Sequence, residues 1–233
     1  MSHHESQARG SDGRMVDRML FFSDAVFAIV LTIMVLELHA PVIPDHVGTG
    51  DPAMMLWEEL SKPETFRTLF AYVISFMLVG LWWSIHMRVT RALHKFDWPT
   101  AVANLFFLLT VTLVPFGASV LGQGPNNATG WGVYWTINAL ASFGMTVLMF
   151  VVSRGGGHLI GGMGSRERLS RLVQSIGPGI GFAVGVWLAV KGEVDLSRLC
   201  WVAIPPFMIL ARLIYHAPKK KGEEAVEPAQ PLP

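Results

Sequence analysis

Few side chains in this sequence are placed to do chemistry, and the most suggestive of them lie in apolar surroundings. The stretch "RMLFFSDAVFAIVLTIMVLEL", residues 18–38, carries Arg18, a Ser23–Asp24 pair and Glu37 within an otherwise hydrophobic run. A serine beside an acid can be half of a nucleophilic site or a hydrogen-bonded clamp. On a helix the two neighbours point about 100° apart, which is the wrong geometry for a nucleophile and its base. No His–Glu spacing of the H-E-x-x-H kind occurs, so a metal-dependent hydrolase is not encoded. The glycine-rich "SRGGGHLIGGMGSR" lacks the G-K-[ST] ending and follows no strand, so it reads as a flexible turn with His158 in it. His3 and His4 stand in a polar tail, and the lone Cys200 excludes an internal disulfide and a cysteine metal cluster. No enzyme, no metal site and no cofactor is expected.

The elements that must position these residues are membrane helices. The chain has 233 residues, 52% hydrophobic and only 15% charged, against about 25% charged in a soluble domain. A spanning helix needs about 20 mostly apolar residues. Six segments qualify: residues 19–38, 65–87, 100–121, 130–152, 172–190 and 196–215. Pro115 should kink the third, and Pro205-Pro206 interrupts the sixth. The fifth carries "GPGIGFAVG", which predicts close packing or a bend. No internal repeat is evident. The expectation is therefore an all-α integral membrane protein of six transmembrane helices. Residues 15–216 form its domain, between disordered cytoplasmic tails at 1–14 and 217–233. The N-terminus has no basic-then-apolar layout of a signal peptide. The Trp and Tyr residues near span ends, Trp83 and Trp98 among them, read as interfacial anchors.

Basic residues set the orientation. Arg9, Arg14 and Arg18 precede the first span; Arg88, Arg91 and Lys95 follow the second. Arg154, Arg166, Arg168 and Arg171 lie in the fourth connection, and Arg212 with Lys219–Lys221 closes the sixth span. The first connection is mainly acidic and the third, "GQGPNNATG", is uncharged. The positive-inside rule places both termini in the cytoplasm, with a multi-pass protein in the cell membrane.

An ionised aspartate in a membrane helix costs roughly 2.5–3.5 kcal/mol at mid-bilayer and less near its edge. Asp24 lies about one turn inside the cytoplasmic boundary. At 100° per residue, Arg18, Phe22, Ile29, Ile33 and Leu36 fall along one stripe, while Ser23 and Asp24 face elsewhere and must find partners. His86, near the end of the second span, and Asn104, near the start of the third, lie at the same depth. A polar clamp and a direct part in transport are both open for Asp24.

At Arg18, Phe22, Ser23 and Asp24, "RMLFFSDAVFAI" matches an R-x-x-x-F-S-D signature and so resembles the transmembrane protein 175 family, potassium-permeable channels of lysosomes and prokaryotes. "WWSIHMR" and "NLFFLLTVTLVPF" support the resemblance, which extends over the six-helix unit. It implies a homotetramer in the lipid bilayer, similar to the prokaryotic members, with the first helices lining a central pore for potassium ions. It further implies a hydrophobic constriction at Ile29, further pore layers at Ile33 and Leu36, and a part for Thr32 in ion preference. "VLTIM" stands where "ITLLV" is commoner in the family, which bears on how the constriction packs. No nucleic-acid partner is expected.

The residues themselves pose the same physical problem. There is no T-V-G-Y-G stretch for a carbonyl-lined filter and no ring of acids deep in the membrane, so a pore here would be narrow, apolar and gated by dewetting. The leading expectation is a passive potassium-permeable cation channel. The alternative is a proton-coupled transporter, or a proton leak, using Asp24 and His86 as a relay. Such carriers usually show internal repeats, which are not evident here.

Overall fold

The structure, a computed structural model, describes residues 3–38, 51–123, 127–154 and 157–216. Among these residues all regular structure is helical. Nine α-helices follow in order: α1 (His3–Ile33), α2 (Pro52–Leu60), α3 (Pro63–Thr90), α4 (Trp98–Thr112), α5 (Val114–Gly122), α6 (Ala128–Ser153), α7 (Ser165–Val190), α8 (Val194–Arg198) and α9 (Ile204–His216). Short 3₁₀ turns extend α1 over Met34–Glu37 and join α8 to α9 over Leu199–Ala203.

Six helical stretches are long and apolar enough to cross a membrane: Asp12–Leu36, Pro63–Thr90, Trp98–Gly122, Ala128–Ser153, Ser165–Val190 and Val194–Ile214. They fall where the hydrophobic runs place them. The third span breaks at Leu113, and Pro115 sits in the first turn of α5, where its missing N–H costs nothing. The sixth is divided into α8, a 3₁₀ turn and α9, with Pro205 and Pro206 opening α9. α1 runs back to His3 and so takes in the polar residues that precede the first span. Residues 217–233 lie outside the described residues.

Starts of helices follow local chemistry. Asp97 accepts the Thr100 amide at 3.0 Å to cap α4, and Asn127 accepts the Gly130 amide at 3.1 Å to cap α6. α6 is the hub of the bundle, packed on α4, α5 and α7, while α9 packs on α7. Close approach in the fifth span is real: a Cβ on Gly185 would stand 2.7 Å from Cδ1 of Trp135. Trp135 is fully buried and stacks on Phe182, with ring centroids 5.3 Å apart. Its indole N–H reaches both Oγ and the carbonyl of Ser197 at 3.1 Å, so α6, α7 and α8 lock at one point. α1 leans on α3, α4 and α5 through Val16, Ser23, Phe27, Val30 and Met34, all buried. Val30 is therefore a core residue. Its neighbour Ile29 is turned away by one helical step.

Candidate functional site

α1 has two faces with different tasks. The packed face carries Ser23, which is fully buried, against α3 and α4. Ser23 Oγ donates to the Met19 carbonyl at 2.8 Å and accepts from Asn104 Nδ2 at 2.9 Å. Because the serine proton is committed to its own helix, the group facing it on Asn104 must be the NH₂. That fixes the amide orientation, and Asn104 Oδ1 then faces His86 Nε2 at 2.7 Å. An amide oxygen only accepts, so His86 carries its proton on Nε2. His86 and Asn104 are each 1% exposed, so the chain Met19–Ser23–Asn104–His86 ties three helices together away from solvent. Phe107 stacks on the imidazole at 5.6 Å and Phe27 tilts against it at 5.7 Å.

Asp24 does not join that chain. It is exposed on the surface of the single chain, and its Oδ1 accepts the indole N–H of Trp83 at 2.9 Å. His86 and Asn104, expected at the same depth, are thus partners of Ser23 rather than of Asp24. Trp83 was missed because a tryptophan near a span end reads as an anchor. Its signal was its place three residues before His86 on α3, which aims both side chains at the α1 side. Asp24 and His86 do share the lining of a cavity of about 190 Å³, together with Leu20, Met87, Thr90 and Arg91. Within it they bond to different residues. Nδ1 of His86 has no hydrogen-bond partner among the described residues.

The other face of α1 is uncovered. Arg18 is exposed, and so are Phe22 at 51%, Ile29 at 55%, Ile33 at 44% and Leu36 at 71%. Ala25, Ala28 and Thr32 are exposed between them. The Thr32 hydroxyl donates within its helix, lying 2.9 Å from the carbonyls of both Ala28 and Ile29. The stripe drawn from helical periodicity is thus continuous, apolar along most of its length and exposed on its own chain. Among the described residues no cluster of three or more His, Cys, Asp or Glu side chains could hold a metal ion.

Comparison with known proteins completes the site's context. The family model described as endosomal/lysosomal potassium channel TMEM175 matches residues 18–115, which hold Ser23, Asp24, Ile29, Trp83, His86 and Asn104. A potassium channel of Chryseobacterium sp. (strain P1-3) is 28% identical over 213 residues, covering 90% of this chain and 97% of that one. The endosomal/lysosomal proton channel TMEM175 of Homo sapiens is 27% identical over 114 residues, covering 48% of this chain and 21% of the human protein. The crystal structure of a lysosomal potassium-selective channel TMEM175 homologue from Chamaesiphon minutus superposes with a TM-score of 0.63 at 20% identity, over 86% of this chain and 96% of that one. By these matches and its six-span helical fold, the chain resembles the TMEM175 ion channels, most directly over residues 18–115.

Proposed function

We propose that the chain forms a passive, potassium-permeable cation channel in the cell membrane, as a homotetramer with α1 at the axis and both termini in the cytoplasm. The observation that carries this reading is the bare stripe of Ile29, Ile33 and Leu36, back to back with the packed face of Ser23, Phe27 and Val30. An apolar face left open by one chain is covered by lipid or by other copies. Asp24 and Thr32 are exposed beside it, and polar groups aimed at hydrocarbon are expensive, which favours copies. Ala25 and Ala28 would let helices approach closely. One chain supplies one such helix, so a closed path needs a symmetric ring of several.

In that ring Ile29 forms the narrowest layer. Four branched side chains at the axis exclude water, and a cation that must shed its hydration to pass meets a large penalty. Thr32, one turn on, offers the hydroxyl oxygen nearest the constriction, and Ile33 and Leu36 form wider layers beyond it. Arg18, Phe22, Ser23 and Asp24 serve as architecture, with Ser23 anchored through Asn104 and His86 and Asp24 through Trp83. A relay from Asp24 to His86 is disfavoured, since each bonds elsewhere. The test is the reversal potential of the purified protein in a planar bilayer under opposed potassium and sodium gradients. A current reversing near the potassium equilibrium potential without a coupled ion supports the channel; strict dependence on a proton gradient replaces it with the relay.

A further inference from the structure

At the arginine-rich end of the bundle, away from α1, lies a cavity of about 610 Å³ between α3, α7 and α9. Arg88, Arg171 and Arg212 line it, with Glu167, Gln174 and Ile209. Three guanidinium groups thus face one carboxylate. Glu167 is engaged by Arg171 Nη2 at 2.5 Å, and Arg171 Nη1 donates to the Arg88 carbonyl at 3.1 Å, pinning α7 to the end of α3. Arg88 gives its Nε to the Ser84 carbonyl at 3.2 Å. Among the described residues neither the terminal nitrogens of Arg88 nor any nitrogen of Arg212 has a hydrogen-bond partner.

We propose that this cavity binds the phosphate of an anionic phospholipid headgroup. A planar guanidinium fork matches phosphate oxygens in pairs, and the surplus of two positive charges over one acid selects an anion. Depth selects a lipid: Arg88, Arg171 and Arg212 each lie within about two turns of the end of a membrane span, the level at which headgroups sit. Ile209, Leu210 and Leu213 on α9 are exposed directly beside it and provide an apolar surface for acyl chains. Basic pockets between spanning helices are a recurring form of headgroup recognition. The inference rests on the channel reading in one respect: with α1 at the axis, α9, which packs on α7, faces the bilayer.

The experiment measures thermal unfolding of the purified full chain in detergent with phosphatidylglycerol, phosphatidylcholine or inorganic phosphate, and counts retained lipids by native mass spectrometry. Phosphatidylglycerol should raise the midpoint by about 5 °C over phosphatidylcholine. Arg88→Gln with Arg212→Gln should cut retained phosphatidylglycerol roughly tenfold. Lys95→Gln with Arg168→Gln, the same charge change outside the cavity, should leave it unchanged. If the double variant fails to fold, Arg212→Gln alone, at an exposed position, takes its place. No preference for phosphatidylglycerol, equal stabilisation by inorganic phosphate, or unchanged retention in the cavity variant would overturn the inference. No ion flux is read, so a conducting protein indifferent to phosphatidylglycerol defeats this inference alone. A silent protein that binds it defeats the channel reading alone.

Discussion

Asn104 Nδ2 donates to Ser23 Oγ across 2.9 Å, joining α4 to α1 deep in the bundle. The contact is the middle link of a chain whose two ends, the Met19 carbonyl and His86 Nε2, belong to α1 and α3. Every polar atom in it except His86 Nδ1 is paired, so removing the central link leaves His86 Nε2–H without an acceptor and Ser23 Oγ without its donor.

Asn104→Leu should therefore lower the stability of the folded unit by about 1–3 kcal/mol for the unpaired partners. Ser23→Ala should cost less, because Asn104 keeps its bond to His86. Thermal unfolding in one detergent, monitored by intrinsic tryptophan fluorescence, ranks the two. A larger loss in Ser23→Ala would mean that the serine, not the amide, organises the site.

Asp24 calls for a different expectation. Its bond to Trp83 is on the surface of the single chain, so its loss should be felt in the assembly. Asp24→Asn keeps an acceptor oxygen for the indole, whereas Asp24→Leu removes it. Cross-linking in membranes should show tetramer retained in the first and reduced in the second, with Trp83→Phe resembling Asp24→Leu. Normal assembly in Asp24→Leu together with altered ion selectivity would place Asp24 on the ion path.

Much of this arrangement was legible in the residues. The six apolar runs, a kink near Pro115, the proline interruption before α9 and the tight glycines beside Trp135 each follow from a local rule. So does the shared stripe of Ile29, Ile33 and Leu36, since helical spacing alone sets it. What periodicity leaves undetermined is which side of α1 meets its own chain. That depends on how α3 and α4 dock, and docking is decided by contacts 59 and 81 residues apart, Trp83 with Asp24 and Asn104 with Ser23. Spacing placed Ser23 and Asp24 about 100° apart, but not which of them would take the amide.

Asp97 gives the fold a dependence on acid pH outside the membrane spans. Burial alone would raise its pKa, but hydrogen bonds from Thr100 and the adjacent Arg154 guanidinium outweigh it and hold the carboxyl below the ordinary carboxylate range. A lowered folded-state pKa adds stability above the unfolded value, and that stability is lost as pH falls through the folded one. Stability of the wild type should thus decline below about pH 4, and Asp97→Asn should show a shallower decline from a lower plateau. Parallel pH profiles would remove Asp97 from the account.

Gly185→Ala tests the packing of the fifth span. The added methyl would stand 2.7 Å from Cδ1 of the buried Trp135, and overpacking of this kind costs about 1–3 kcal/mol. Trp135 would have to leave Ser197, so its fluorescence should change as the unfolding midpoint falls. Gly80→Ala, where a methyl meets open space, is the control and should be neutral or stabilising.

The central claim is that the Ile29 face of α1 lines the ion path, and single-channel recording of paired neighbours tests it most directly. Ile29→Asn should raise unitary conductance and weaken the preference for potassium over sodium, since a polar ring lets water and ions persist at the constriction. Substitution of Leu36, in a wider layer, should act in the same direction but less. Val30→Ala, one residue and one helical step away on the packed face, should lower stability by about 0.5–1.5 kcal/mol or more and leave conductance and selectivity as they were. Unchanged currents in Ile29→Asn beside altered conductance in Val30→Ala would contradict the account, because the ion path would then run along the face that the chain itself buries.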